Sequence, residues 1–63
     1  MRRKPKFHVG QVVYYKAEME YLRITGVNFD YGDIYYDVAW KVDKCYDYVD
    51  ENALRKLHKR EKE

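Results

Sequence analysis

Between Ile34 and Val42 the chain alternates without a break. Ile34, Tyr36, Val38, Trp40 and Val42 share one parity, and Tyr35, Asp37, Ala39 and Lys41 share the other. A run of period two cannot keep its apolar residues on one side of a helix, whose period is about 3.6. The stretch is therefore a strand with one apolar face and one mixed face. A strand this amphipathic needs neighbours that cover the same side, and the rest of the chain supplies them.

Upstream, Phe7-His8-Val9-Gly10-Gln11-Val12-Val13 is the entry to the sheet. Gly10 stands where a tight bend or a close backbone approach tolerates no Cβ. Residues 11–16 are β-branched and aromatic, which favours a first strand. Val13 and Tyr15 fall on one face of it, Val12 and Tyr14 on the other, and we take Val13 as inward. A short charged connection, residues 17–20, leads to a second strand over 21–29. In that strand the apolar parity changes from Leu22 and Ile24 to Val27 and Phe29, with Gly26 between them. A phase change at a glycine marks a bulge or sharp bend, the device that lets a short sheet curl.

Residues 28–33 carry turn chemistry, with Gly32 available for positive φ. Asp43 and Lys44 turn the chain again, and residues 45–49 form a short fourth strand. Asp50 is a good N-cap, and Glu51 suits the first turn of a helix, so a helical turn is expected at 51–54. Beyond it the pattern fits either a helix to about His58 or a short fifth strand. The expected core is Phe7, Val9, Val13, Leu22, Ile24, Val27, Ile34, Tyr36, Val38, Trp40, Val49 and Leu54, with Phe7 and Val9 as lids over one open end.

The chain has 63 residues, enough for one small domain. Residues 1–6 read as a flexible basic lead-in, 7–58 as the domain, and 59–63 as a frayed charged tail. A domain of this size buries only roughly 60% of its unfolded surface, so dense packing must come from somewhere. With Cys45 as the single cysteine, an internal disulfide is impossible, and eight tyrosines, two phenylalanines and one tryptophan carry the load instead. A lone thiol fits a reducing cytoplasm, the expected location. No segment approaches the ~20 apolar residues of a membrane helix, so no membrane partner is expected.

Net charge is +2, distributed as +5 over residues 1–16, −6 over residues 17–51 and +3 over residues 52–63. Basic ends flank an acidic middle. Enzymatic chemistry is poorly supplied, since the chain holds no serine and one threonine. Cys45 with His8 or His58 lacks a third group to orient it, so a packing thiol is the better reading. No paired cysteines or neighbouring histidines offer metal-ligand spacing. The chain reads as non-enzymatic, with no cofactor.

The pattern resembles the SH3-like small barrels, the group that includes Tudor, KOW and chromo-barrel modules. The matching parts are Phe7-x-Val9-Gly10-x-x-Val13, the glycine-kinked strand around Ile24-Thr25-Gly26, Tyr36-x-Val38, and Val49-x-Glu51-x-x-Leu54. Together they span roughly residues 7–57, and many small phage and bacterial proteins share this outline. The resemblance implies an all-β barrel of four to five antiparallel strands that binds something, with no shared substrate. The acidic middle departs from the nucleic-acid-binding KOW type.

Two candidate surfaces follow. Tyr14, Tyr31, Tyr35, Tyr46 and Tyr48 cannot all fit inside so small a barrel. Beside Asp30, Asp33 or Asp47 they form a face for a protein or peptide, attracting a cation through ring faces and carboxylates. The bland alternative is that they merely cover the outer sheet by cross-strand pairing. The second surface is basic: Arg2, Arg3, Lys4 and Lys6 at one end, with Arg55, Lys56, Lys59 and Arg60 at the other. If the two ends meet, they form a patch for nucleic-acid phosphates. Otherwise these charges only keep the protein soluble. Protein or peptide binding is the first expectation and nucleic-acid binding the alternative.

Overall fold

The computed structural model of the chain describes residues 4–61. Its elements are β1 (Val12–Tyr15), β2 (Glu20–Asp30), β3 (Asp33–Lys41), β4 (Lys44–Asp50), one 3-10 turn (Glu51–Ala53) and β5 (Leu54–Lys56). Neighbouring strands are antiparallel, in the spatial order β4-β3-β2-β1-β5. The protein is thus mainly β, and the segment after Asp50 resolves into a turn followed by a fifth strand. Asp50 caps that turn as its chemistry dictates, its Oδ1 accepting from the Asn52 N–H at 2.8 Å.

The expected closed barrel is not what forms. β4 and β5 are the two edges of an open sheet. The three-residue turn carries the chain across the open side, so β5 lands on β1 and pairs only there. The sheet nevertheless curls, because Val49 of β4 and Leu54 of β5 join one core with Val13, Leu22, Ile24, Ile34, Tyr36 and Val38. Phe7 completes that core, its ring meeting Tyr36 edge-on at 5.4 Å. Among the described residues, no helix is long and apolar enough to cross a membrane.

Two bulges give the sheet its curvature. In β2 the register against β3 shifts between Ile24 and Gly26, which moves Val27 back to the core side after Leu22 and Ile24. In β4 two residues, Asp47 and Tyr48, stand between Tyr46 and Val49 where β3 has only Asp37 between Val38 and Tyr36. The extra residue puts Tyr48 in the left-handed region, at φ 57. A third irregularity lies at the far end of β3, where Ala39 and Lys41 face the adjacent Cys45 and Lys44.

That last bulge overturns one expected core position. Trp40 is the extra residue, so the parity that buries Val38 no longer holds, and Trp40 is 51% exposed. Val9 is also outside the core, 60% exposed. Residues 8–11 form a turn in which the His8 carbonyl accepts from the Gln11 N–H at 3.0 Å. Val9 sits at its corner and Gly10 takes the positive φ of 95 that such a corner requires. Val12, read as outward, is buried opposite Arg23.

One buried charge was not anticipated. Glu51 is 3% exposed. Its Oε2 accepts from the Tyr36 hydroxyl at 2.6 Å and from the Lys6 N–H at 3.0 Å. The Tyr36 oxygen in turn accepts from the Lys6 and Phe7 N–H groups at 3.1 and 3.3 Å. This network ties the lead-in segment to the 3-10 turn and seats Phe7. Burial and the Glu51 carboxylate push the Tyr36 phenol up to about 12.

Candidate functional site

The outer side of the sheet is organised by one carboxylate. Asp37 stands on β3 opposite Gly26, between the bulges of β2 and β4. Its Oδ1 accepts from Asn28 Nδ2 at 3.1 Å and from the Tyr48 N–H at 3.2 Å. A bulge leaves a strand N–H without a ladder partner, and Asp37 provides one. A Cβ on residue 26 would approach Asp37 Oδ2 to 2.8 Å, so the glycine makes room for the carboxylate.

With its backbone held this way, Tyr48 lays its ring on Tyr35, the centroids 4.7 Å apart and the planes 18° from parallel. The Tyr48 hydroxyl donates to Asp30 Oδ2 at 2.7 Å. That carboxylate raises the phenol above its ordinary value. The result is a stacked pair of rings in which Tyr48 is fastened at its N–H by Asp37 and at its hydroxyl by Asp30. Tyr48 remains 50% exposed.

The five tyrosines named from the sequence do not form one face. Tyr35 and Tyr48 come together. Tyr31 lies at the tip of the β2–β3 hairpin, where Tyr31 and Gly32 both have positive φ, the signature of a tight primed turn, and its ring is 98% exposed. Tyr46 turns inward and meets Tyr15 edge-on at 5.2 Å. Its hydroxyl donates to Glu20 Oε1 at 2.9 Å, which pushes the phenol up to about 12. Glu20 also pairs with Lys44 at 2.7 Å.

Tyr14 belongs to a separate outer cluster. It meets Tyr21 edge-on at 5.0 Å, and the Arg55 guanidinium lies 4.3 Å from its ring centre. Arg55 holds Glu61 with two contacts of 2.8 and 3.0 Å, and the Tyr21 hydroxyl donates to the same carboxylate. Arg55, then Tyr21 and the His58 N–H, keep the Glu61 carboxyl well below the usual carboxylate range. Glu61, placed by the sequence in a frayed tail, is thereby tied to β2 and β5. The charges of this cluster are matched internally.

Of the basic candidates, Arg2 and Arg3 lie outside the described residues. Lys4, Lys6, Lys56, Lys59 and Arg60 are exposed, while Arg55 is taken up by Glu61 and Tyr14. The lead-in does approach the C-terminal part of the chain, through the Lys6 N–H on Glu51.

Sequence reasoning missed a groove at the other end of the same outer face. Arg23, Thr25, Ala39, Trp40, Lys41, Val42 and Cys45 line a shallow, open groove of about 600 Å3 there. Only the bulge at Trp40 creates it, and unbroken alternation through residue 42 conceals that bulge. Cys45 is exposed, its Sγ near the carbonyl oxygens of Lys41 and Val42 at 3.4 and 3.5 Å. Among the described residues no group of His, Cys, Asp and Glu is arranged to hold a metal ion. No family model matches the chain, and no curated protein or solved structure matches it either.

Proposed function

We propose that the chain is a non-enzymatic binding module whose Tyr35–Tyr48 pair takes a basic segment of a partner protein. The observation that carries this reading is a stack of two tyrosines, Tyr48 half-exposed and Tyr35 part-buried, bordered by Asp30 and Asp37. Among the described residues no Lys or Arg lies over either ring, whereas Tyr14 has Arg55 over it. A guanidinium or ammonium arriving from outside would meet a ring face and two carboxylates at once. Such a contact is worth roughly 0.5–2 kcal/mol for the ring alone. Tyrosines at low entropic cost suit protein interfaces generally.

The scaffold we infer is an SH3-like barrel left open on one side. The strand order, the kink at Gly26 and the 3-10 turn ahead of β5 support that reading. The exposed thiol of Cys45 is in keeping with a reducing cytoplasm. The alternative, nucleic-acid binding through the ends, retains Lys4, Lys6, Lys56, Lys59 and Arg60 but loses Arg55 to Glu61.

Titration with an arginine-rich peptide and with single-stranded oligonucleotide, each at low and moderate salt, separates the two readings. Peptide binding that Tyr35→Ala or Tyr48→Ala abolishes while the domain stays folded supports the tyrosine pair. Peptide binding unchanged by both substitutions, or oligonucleotide binding alone, overturns it.

A further inference from the structure

Residues 17–51, the acidic middle of the chain, hold three bases: Arg23, Lys41 and Lys44. They lie on β2, β3 and β4, yet all three line the hollows that border Trp40. The groove already described, of about 600 Å3, carries Arg23 and Lys41, and no carboxylate lines it. A second hollow of about 340 Å3 carries Lys41 and Lys44 with the exposed Tyr21. Trp40 and Lys41 are common to both, and the indole is 51% exposed. Glu20 pairs with Lys44 and Asp43 lies close to it, so the positive charge beside the indole rests on Arg23 and Lys41. Arg23 is anchored, its Nη1 donating to the Gly10 carbonyl at 2.6 Å. That contact uses one of five N–H donors and holds the guanidinium at the groove.

We infer that Trp40 is the stacking platform of a single-stranded nucleic-acid site, with Arg23 and Lys41 taking the phosphates next to the stacked base. The site stands apart from the Tyr35–Tyr48 pair and from the basic ends of the chain, and it rests on neither.

An exposed aromatic ring beside cations is the combination that holds single strands, because every base offers a ring face and the backbone seeks positive charge. An acidic peptide would satisfy the cations and leave the indole without a flat partner. A duplex keeps its ring faces inside the stack and could reach the cations alone. The shape agrees. A pocket for a free small ligand encloses most of that ligand, whereas this groove is shallow and open and suits a chain laid across it. Charge sets the path. Asp30 and Asp37 repel a phosphate backbone at the β2–β3 hairpin end of the outer face, so the strand crosses the sheet at the β3–β4 end. Stacking accepts any base, so the contact is short, tolerant of sequence and sensitive to salt.

The test titrates the chain with fluorescently labelled oligothymidylate of about ten nucleotides, long enough for one small site. Anisotropy of the label reads binding, and emission of Trp40, the only tryptophan, reads stacking. The expected result is saturable binding at low salt with Trp40 emission quenched in step. Two phosphate contacts predict a slope of log affinity against log salt of about −1.4. Trp40→Ala should weaken binding by about tenfold or more, and Trp40→Phe by less, because a ring remains. Lys41→Glu should weaken it by about tenfold and flatten the salt slope. Far-ultraviolet circular dichroism establishes that each variant is folded, and the difference between Phe and Ala at residue 40 separates a lost ring from a lost fold.

Binding without quenching of Trp40, or no binding at low salt, overturns the inference. So does binding indifferent to Trp40→Ala but lost in the double variant Lys59→Glu, Arg60→Glu, which would place the strand at the C-terminal end. Polyglutamate or duplex bound as tightly as the oligonucleotide also overturns it, since neither offers a base to the indole. The tyrosine pair is tested separately by the arginine-rich peptide. Oligonucleotide at Trp40 together with peptide at Tyr48 is the result expected of the whole chain.

Discussion

Tyr14 and Tyr35 both stand on the outer side of the sheet, and each meets a second tyrosine, yet the two pairs end differently. Tyr14–Tyr21 is closed by Arg55 over the Tyr14 ring and by Glu61 between Arg55 and the Tyr21 hydroxyl. Tyr35–Tyr48 is fastened by Asp30 and Asp37, with no described Lys or Arg over either ring. The first pair contains its own cation and anion. The second has only the anions. The contrast shows how this chain completes an aromatic–carboxylate cluster when it supplies every part. It also identifies the cation as the part an outside partner would bring to the second.

The strongest way to sharpen the contrast is to alter a tyrosine that belongs to neither pair. Tyr36→Phe removes the hydroxyl from buried Glu51 and an acceptor from the Lys6 and Phe7 N–H groups. The expected cost is about 3 kcal/mol by chemical denaturation, because a buried carboxylate loses a donor. Both outer pairs should persist in the folded fraction, as seen by ring proton shifts.

The same hydroxyl sets an alkaline limit. The folded phenol is pushed up to about 12 while the unfolded one titrates near 10, so folding favours the neutral form. Its contribution is complete below pH 10 and is lost as pH rises through 12, which a denaturation series at increasing pH would follow. Stability unchanged across that window in the native chain would contradict it.

Next in size is Asp37→Ala, expected to cost about 1 kcal/mol, the net worth of an ordinary hydrogen bond, by removing the acceptor of the exposed Tyr48 N–H. It should unstack Tyr35 from Tyr48 and leave Tyr14–Tyr21 untouched. Gly26→Ala should do nearly the same, since the added methyl group displaces the Asp37 carboxylate. The double substitution should therefore cost less than the sum of the singles, as coupled neighbours do. Additive costs would mean that the carboxylate does not link the bulges.

The smallest effect concerns the closed pair. Glu61→Gln should barely move the denaturation midpoint, because Tyr21 and His58 are exposed and the ion pair with Arg55 is only part-buried. It should free the tail and speed hydrogen exchange around residues 58–61. Acid should act likewise on the native chain. The Glu61 carboxyl is held low, so its contribution is present above the ordinary carboxylate range and is lost as pH falls.

The parts of this molecule that follow from period and parity were legible in the sequence. Ile34, Tyr36 and Val38 alternate and are buried, Val13 points inward beside them, and the phase change at Gly26 is a bulge. What escaped depends on register between strands, which no single segment encodes. The bulge at Trp40 appears only when β3 is aligned with β4, and it turned an expected core residue into the rim of a groove. The bulge at Tyr48 is equally invisible in Cys45-Tyr46-Asp47-Tyr48-Val49. It is what sets Tyr48, rather than Tyr46, on the outer side with Tyr35. Glu51 looked like a helix-start acid because the tyrosine that takes it inside comes from a distant strand.

The measurement that bears most directly on the tyrosine pair is a residue-by-residue NMR titration of the ¹³C,¹⁵N-labelled chain with an arginine-rich peptide at low salt, beside a glycine–serine peptide of equal length. The account predicts shifts centred on the Tyr35 and Tyr48 rings and the Asp37 and Tyr48 amides, absent with the neutral peptide, while Tyr14 and Tyr21 stay still. Shifts centred on Tyr14, or none at Tyr35 and Tyr48, would contradict it.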